Sequence, residues 1–378
     1  MKVLHLFSNA KFTGPAELAL NLCVTLRTLG VEADLAFPDL PKGRQHTLRD
    51  TARERGIEPI LDFRLNKHEN PFANFLDARA LSSFLSKRPY DLIHCHLDND
   101  HRIALAASRK LKIPVVRSSY EGLGMTNLRR HRPLIKGTAR IYQPSQVALR
   151  HDLETYGYPL ESMQVVPGAI DVRRFDPARQ VPDGRERLGI SAQAFVIGIV
   201  ARMQTHRRYE DFFQAIRLLT DEGVDAHAIV VGRGTNQESV GKAPARALGL
   251  SERVHFPGYV SGDDYVGMVK AFDTKVFLVP GSDGTCRAVR EAMAMGKPAV
   301  VSDRGMLPEI VNAGVDGFVC DGSPNGLFTA LQQLAVDPAR CAQMGRAARD
   351  KAVSTFSLDA QARAVREGYE IVLGNQRH

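Results

Sequence analysis

Cysteine is scarce in this 378-residue chain, and Cys23, Cys95, Cys286, Cys320 and Cys341 form no C-x-x-C pair. Odd, scattered thiols argue against a disulfide framework or a thiolate metal site and for a reducing compartment, so a cytoplasmic location is expected. No window approaches the ~20 apolar residues of a membrane-spanning helix. Met1–Phe7 already reads as a strand, so no leader peptide is expected. Repeats and low-complexity tracts are missing too. The charge excess is moderate: 50 Lys+Arg against 42 Asp+Glu leave +8, which favours acidic partners without naming them. Without interleaved aromatics or a known binding module, that excess does not point to nucleic acid.

What remains is an ordinary globular composition, 44% hydrophobic and 24% charged, long enough for two domains with a core each. Short apolar runs alternate with helical patterns, the mark of parallel α/β units. The first half predicts strands at Lys2–Phe7, Ala33–Phe37, Leu92–Cys95, Pro114–Arg117 and Ile141–Gln143. The second predicts them at Val196–Val200, Ala228–Val231, Val254–Phe256, Lys275–Val279 and Ala299–Ser302. Asp171–Gln193, rich in Pro, Gly, Arg and Asp, reads as the interdomain region. Two Rossmann-like domains, residues 1–172 and 173–357, are therefore expected to face each other across a cleft lined by the carboxyl ends of both sheets.

The segment Pro280–Gly317 (PGSDGTCRAVREAMAMGKPAVVSDRGMLPEIVNAGVDG) carries most of the chemistry. It reads as loop, helix Thr285–Met295, buried strand and second helix. Asp283 falls in the loop, and Glu291 about two turns into the helix. The open N–H groups of Thr285, Cys286, Arg287 and Ala288 form an anion site at the positive end of the helix dipole. An acid on either side of such a site suits a ligand with hydroxyls flanking phosphate, as in a sugar nucleotide. A loop Asp is more often a cap and a helix Glu more often solvated, so order and context carry this reading.

That context resembles the acid-x7-Glu segment of the GT-B retaining glycosyltransferases, in particular glycosyltransferase family four (glycosyl transferases group 1). The likeness includes the trailing EAMA, the G-x-P-x-V-x-S strand from Gly296 to Ser302, and the helix Pro308–Val311. It covers nearly the whole chain and implies that the last helix, Leu358–Leu373 in residues 358–378, packs back on the first domain. Ala201–Arg208 (ARMQTHRR) resembles the family's G-R-x-x-x-x-K-G segment, whose cations hold the pyrophosphate. Arg202 matches directly, Arg207 stands at the Lys and Arg208 at the Gly. Register favours Arg207 over Arg208 as the second cation, and guanidinium is a good bidentate phosphate partner. Gly232 and Gly234 resemble the family's G-x-G turn, and Gly258 lies in its F-x-G-x-V loop, where backbone groups meet the nucleobase. Gly14-Pro15-Ala16-Glu17 resembles its Gly-Gly-Ala-Glu loop, which lies under the donor phosphate, and Pro15 removes one N–H, so any phosphate contact there must come from Gly14 or Ala16.

The resemblance implies a nucleotide-diphosphate sugar as donor, with Glu291 on the ribose diol, Asp283 on sugar hydroxyls, and Thr285, Cys286 and Arg287 by the phosphate. Arg202 and Arg207 would stabilise the departing diphosphate. No protein general base is expected, because the leaving phosphate takes the acceptor proton. Asp91–His96 resembles the family's D-x-x-H-x-H strand and puts His94 and His96 on one face. With no third ligand in register, a metal is not expected. Tyr120 stands where relatives commonly place a His that contacts the sugar. Arg129, Arg130, Arg132, Lys136 and Arg140 accumulate in an acid-free stretch. They read either as a solvated face or as a landing patch for an anionic membrane, the inner face being the expected one. The expected activity is transfer to a glycan or lipid-linked acceptor in cell-surface polysaccharide or lipopolysaccharide biosynthesis. A nucleotide-sugar 2-epimerase of the same architecture and a non-catalytic basic binding protein remain as alternatives.

Overall fold

The computed structural model describes residues 1–40, 48–125, 128–135 and 137–375, with the side chains of 128–131 and 283–285 outside the description. The chain forms two units. One comprises Met1–Ala169, Ser282–Gly284 and Leu358–His378, the other Ile170–Gly281 and Thr285–Ser357.

The first unit is built on a six-stranded parallel sheet: β1 (Lys2–Leu6), β2 (Glu32–Ala36), β3 (Leu92–Cys95), β4 (Val115–Ser118), β5 (Arg140–Gln143) and β6 (Met163–Val165). Their order is β2-β1-β3-β4-β5-β6. The strands are buried on both faces because helices cover both, and β1, β3, β4 and β5 carry buried polar residues as well as apolar ones. On one face the helix Gly14–Thr28 buries Leu20, Cys23 and Leu26 against Val3, together with Val365 and Tyr369 of the last helix, Leu358–Gly374. On the other, the helices Pro71–Lys87 and Asp98–Ser108 bury Leu81, Leu85 and Ile103 against Leu4, Leu6 and Ile93. Each fully buried leucine or isoleucine is worth about 1.5–3 kcal/mol in apolar transfer.

The second unit repeats the plan with β7 (Phe195–Val200), β8 (Ala226–Val231), β9 (Val254–Gly258), β10 (Thr274–Phe277), β11 (Ala299–Ser302) and β12 (Gly317–Cys320), in the order β12-β11-β10-β7-β8-β9. The helix Tyr209–Asp221 packs Phe212, Phe213 and Ile216 on one face, and the helix Asp283–Ala294 packs Val289 and Met293 on the other. β6 and β12 escape a reading of the sequence because each is a short edge strand whose apolar run is too brief to show a period. Among the described residues no helix is long and apolar enough to cross a membrane.

Candidate active site

Ligands of open α/β sheets bind beyond the carboxyl ends of the strands. In the second unit the neighbours β10, β7, β8 and β9 set their outgoing loops side by side. The loop after β7 is Ala201-Arg202-Met203, and the G-x-G turn after β8 lies directly against it. A Cβ on Gly232 would stand 2.1 Å from the Ala201 carbonyl oxygen, and one on Gly234 would stand 2.4 Å from that of Met203. Gly232 also has φ +145°, so only glycine serves there. Its N–H donates to Gly258 O at 2.9 Å and ties in the loop after β9. The glycines thus hold the backbone from which Arg202 projects.

Arg202 is exposed, and its guanidinium has no protein partner among the described residues. Arg207 ends the single turn Thr205–Arg207; it is half-buried, and its Nε is buried without a hydrogen-bond partner. Arg208 has φ +59°, the left-handed conformation that suits the glycine of relatives. Its Nε donates to Asp211 Oδ2 at 2.7 Å. Of the two candidate cations, Arg208 spends its Nε on Asp211 while its Nη1 is buried without a partner, and Arg207 has no ion pair among the described residues.

The helix after β10 is Asp283–Ala294. It begins at Asp283 rather than Thr285, which corrects the loop position expected for Asp283. The open amides shift with it towards the amino end, and the N–H groups of Arg287 and Ala288 lie a turn inside the hydrogen-bond ladder. The Cys286 thiol is buried in the core, so any ligand role at that position belongs to backbone. Glu291 faces inward and is 3% exposed. Tyr265, from the helix Gly262–Lys270, donates to its Oε2 at 2.6 Å, and Arg287 Nε donates to its Oε1 at 2.8 Å. An ionised carboxylate offers about four acceptor sites. Two remain, enough for a vicinal diol.

Tyr265 packs edge-on against Phe175 at 5.9 Å. Burial, reinforced by the Glu291 carboxylate, holds its hydroxyl well above the usual tyrosine range, so it remains a donor. Lys275 lies wholly buried on β10, with Nζ donating to Val276 O at 2.8 Å. Burial pulls its ammonium down to about 7, against the opposing pull of Glu291. Beside Gly258, Tyr259 is 67% exposed and carries the Arg233 guanidinium 5.0 Å above its ring. Sequence reasoning missed Tyr265, Lys275 and this Arg233–Tyr259 pair. Only Lys275 left a signal, as a charge inside an otherwise apolar strand.

In the first unit, Gly14 opens the helix Gly14–Thr28; it is exposed, with nothing within 4 Å of where its Cβ would stand. The N-cap Thr13 makes no side-chain cap bond, so that helix start has no side-chain cap of its own. The D-x-x-H-x-H strand departs from expectation. Register places His5 of β1 opposite His94, and His5, His94 and His96 bring ligand atoms within 4.8 Å of one another. A third histidine therefore lies in register, supplied by the neighbouring strand. The rings stack at centroid distances of 4.5, 4.9 and 5.3 Å. His94 is bonded to Tyr369 and, at 2.8 Å, to Ser118 Oγ. His96 is bonded to His5 at 3.0 Å and to the Tyr120 hydroxyl at 2.6 Å. Burial pushes His5 down to about 3 and His94 and His96 well below the usual range, so the stack is neutral. It ends on Tyr120. Buried Asp100, pushed up to about 7 by burial, accepts from the N–H groups of Ser8, His96 and Leu97 at 2.8, 3.1 and 3.0 Å.

The basic stretch needs a correction. Arg140 starts β5, is 7% exposed, and donates to Gln164 Oε1 and Glu161 O at 3.2 Å each, so it presents no charge to a surface. Arg132 is exposed, whereas Arg129, Arg130 and Lys136 lie outside the residues whose side chains are described.

A buried carboxylate with acceptor capacity to spare, two guanidiniums without an ion pair among the described residues, and close-packed glycine turns follow neighbouring strands of one sheet, and such groups suit an anionic ligand bearing hydroxyls. Comparison with known proteins identifies the family of the chain as a whole. The model of Glycosyltransferase Family 4 matches residues 12–174, and that of Glycosyl transferases group 1 matches residues 181–351. A D-inositol 3-phosphate glycosyltransferase of Corynebacterium jeikeium is 32% identical over 58% of this chain and 54% of its own, so the chain spans about half the length of that relative. A 2-deoxystreptamine glucosyltransferase of Streptomyces kanamyceticus is 27% identical over 95% of this chain and 99% of its own. The crystal structure of Anabaena HepE in complex with UDP superposes with a TM-score of 0.79 at 20% identity, over 98% of this chain and 100% of that one. With one family model on each half, in chain order, and the fold of a GT-B structure throughout, the chain belongs to glycosyltransferase family four.

Proposed function

We propose that the protein transfers a sugar from a nucleotide-diphosphate sugar, with retention of anomeric configuration, to a hydroxyl of a glycan or lipid-linked acceptor in cell-surface polysaccharide or lipopolysaccharide biosynthesis. The observation that carries the reading is the contrast between Glu291, held by Tyr265 and Arg287, and Arg202 and Arg207, which no carboxylate neutralises among the described residues. Glu291 takes the ribose diol. Arg202 and Arg207, with the opening amides of the Asp283–Ala294 helix, stabilise the charge that grows on the leaving diphosphate. Asp283 holds sugar hydroxyls, and Gly14, at its uncapped helix start, meets phosphate. The glycine turns at Gly232 and Gly258 meet the base through backbone groups. The acceptor attacks from the face that the diphosphate leaves, and the diphosphate oxygen takes its proton. No metal is assigned a part. The enzyme works in the cytoplasm, peripherally at the inner face of the membrane.

The relatives named above act on inositol 3-phosphate and 2-deoxystreptamine, both polyhydroxylated rings, which favours a cyclitol as the second acceptor class. The HepE complex makes UDP the first diphosphate to try. The test is a thermal-shift screen of sugar nucleotides, in which a ligand at about 100 times its Kd adds about 2.7 kcal/mol. Product analysis by proton NMR follows. A stabilising donor that yields an inverted anomer overturns retention, and epimerised donor formed without acceptor overturns transfer.

A further inference from the structure

The helix Pro71–Lys87 of the first unit has apolar side chains on both faces. Its inner face buries Ala73, Leu81 and Leu85, while on its outer face Phe72 is 72% exposed, Phe75 58% and Leu76 36%. Positions i, i+3 and i+4 share one helix face, so the three side chains form a single apolar patch in water. Arg79 adjoins it, with its guanidinium 5.8 Å from the Phe75 ring centre.

The charge around the patch is mostly positive, with Asp62 and Glu69 the exposed acids in the approach to the helix. Arg79, Lys87 and Arg88 are exposed on or just beyond the helix, and Arg64 and Lys67 in the approach to it. The helix's one acid, Asp77, is turned inward and accepts from the N–H groups of Arg64 and Leu65 at 3.1 and 2.9 Å. The neighbouring helix Asp98–Ser108 is followed by exposed Arg109 and Lys110, and its exposed acid, Asp98, is ion-paired with Arg117. Glu69 lies 3.8 Å from Arg102.

The patch sits at the ligand end of its sheet. The helix runs straight into β3, so its amino-terminal half, which bears Phe72, Phe75 and Leu76, points to the carboxyl end of the strands. Asn74 and Asn99 fix this end by exchanging side-chain hydrogen bonds of 2.7 and 3.1 Å, and Asn99 also donates to Asn66 O at 2.7 Å. Asn99 lies in the first turn after β3.

We propose that this face is a docking surface for an anionic lipid bilayer, with Phe72, Phe75 and Leu76 entering the interface and Arg79, Lys87 and Lys67 meeting headgroup phosphates. Aromatic side chains over a cation-rich, carboxylate-poor rim are the complement of such a surface. A second copy of the chain would have to bring the same cations together. The inference does not depend on the donor chemistry, and it places the membrane contact on this helix rather than on Arg140.

The test is cosedimentation of the full chain with phosphatidylglycerol-containing vesicles and with phosphatidylcholine vesicles. The protein should bind the first, more weakly as salt rises, and pass over the second. Phe72→Ser/Phe75→Ser should weaken partitioning about tenfold or more, and Arg79→Glu about fivefold per unit of charge lost. These positions are exposed, so the melting temperature should stay at the wild-type value in every variant. Wild-type protein indifferent to anionic vesicles overturns the proposal, as does a double variant that binds like wild type. So does a concentration-dependent dimer in sedimentation velocity that the double variant abolishes, since that makes a second copy the occupant.

Discussion

Tyr265 donates a 2.6 Å hydrogen bond to Glu291 Oε2, so two separate helices meet on the carboxylate proposed to bind ribose. Arg287 holds the other oxygen at 2.8 Å, one turn earlier on the same helix. Removing Tyr265's hydroxyl leaves that oxygen one donor short without emptying the space. Tyr265→Phe is expected to raise KM for the sugar nucleotide severalfold with a smaller change in kcat, at about 1–3 kcal/mol in stability. Glu291→Ala removes the acceptor itself and should weaken nucleotide binding more than tenfold while the fold survives. Steady-state kinetics with calorimetric nucleotide binding check both, and wild-type binding by the Glu291 variant removes the ribose assignment.

Arg207 and Arg208 are neighbours in sequence with different commitments, and the prediction follows from that difference. Arg202→Ala or Arg207→Ala should each lower kcat about a hundredfold, on the order of 3 kcal/mol, with little change in KM, because leaving-group charge peaks in the transition state. Arg208→Gly gives up the Asp211 ion pair but relaxes a positive φ, so stability should move by about 1 kcal/mol or less. If Arg208→Gly is the crippled variant and Arg207→Ala behaves normally, the register of the phosphate cations is wrong by one.

Activity should persist in excess chelator, since arginines and helix amides offset the diphosphate in the proposed mechanism. The stacked histidines do not weaken this expectation: five of their six ring nitrogens face Tyr369, Ser118, Tyr120 or one another. A sharp loss of rate in chelator, restored by magnesium or manganese, is the contrary result.

How much of this was legible depended on whether a residue's partners lie nearby in sequence. Two parallel sheets followed from alternating apolar runs, and Glu291 followed from its spacing within a helix that also contains Arg287. Tyr265 reaches Glu291 from another helix, and nothing around it in sequence marks it. His5 lies on an ordinary apolar strand, and only the β1–β3 pairing reveals a third histidine. Arg140 was misread because a charged residue beginning a strand looks the same in sequence whether it meets solvent or, as here, Gln164. The start of the Asp283 helix slipped by the margin usual for helix ends.

Gly232→Ala tests the contact between the first two loops. The new methyl would stand 2.1 Å from the Ala201 carbonyl oxygen at φ +145°, so one loop must move. The expected loss is about 1–3 kcal/mol in stability, with a larger proportional loss in nucleotide affinity, because the displaced backbone carries Arg202. Gly374→Ala, at the end of the last helix, has open space and serves as the control, with stability and nucleotide affinity close to wild type. Chemical denaturation and nucleotide titration of the two variants separate these outcomes. Equal effects would mean that the close approach at Gly232 is not what positions the arginine loop.

The histidine stack predicts a dependence of stability on pH. His5 is pushed from its ordinary 6.5 to about 3 by burial, with Arg27 adding a smaller push the same way, and His94 and His96 move in the same direction. Between those values the unfolded chain binds protons that the folded chain refuses. Stability is therefore complete above about pH 6.5 and falls as the pH drops towards 3. For His5 alone the loss at pH 5 is about 2 kcal/mol. Asp100, raised to about 7, works the other way, binding a proton in the folded state first. It is common to wild type and a His5→Gln variant, so the difference between them isolates the histidine. His5→Gln should be the less stable protein at pH 7.5, through the lost bond to His96, and the gap should narrow by about 2 kcal/mol at pH 5. Urea denaturation at both pH values measures it. A gap that stays constant would mean that His5 takes up a proton in the folded protein as readily as in the unfolded chain, contrary to its burial between β1 and β3.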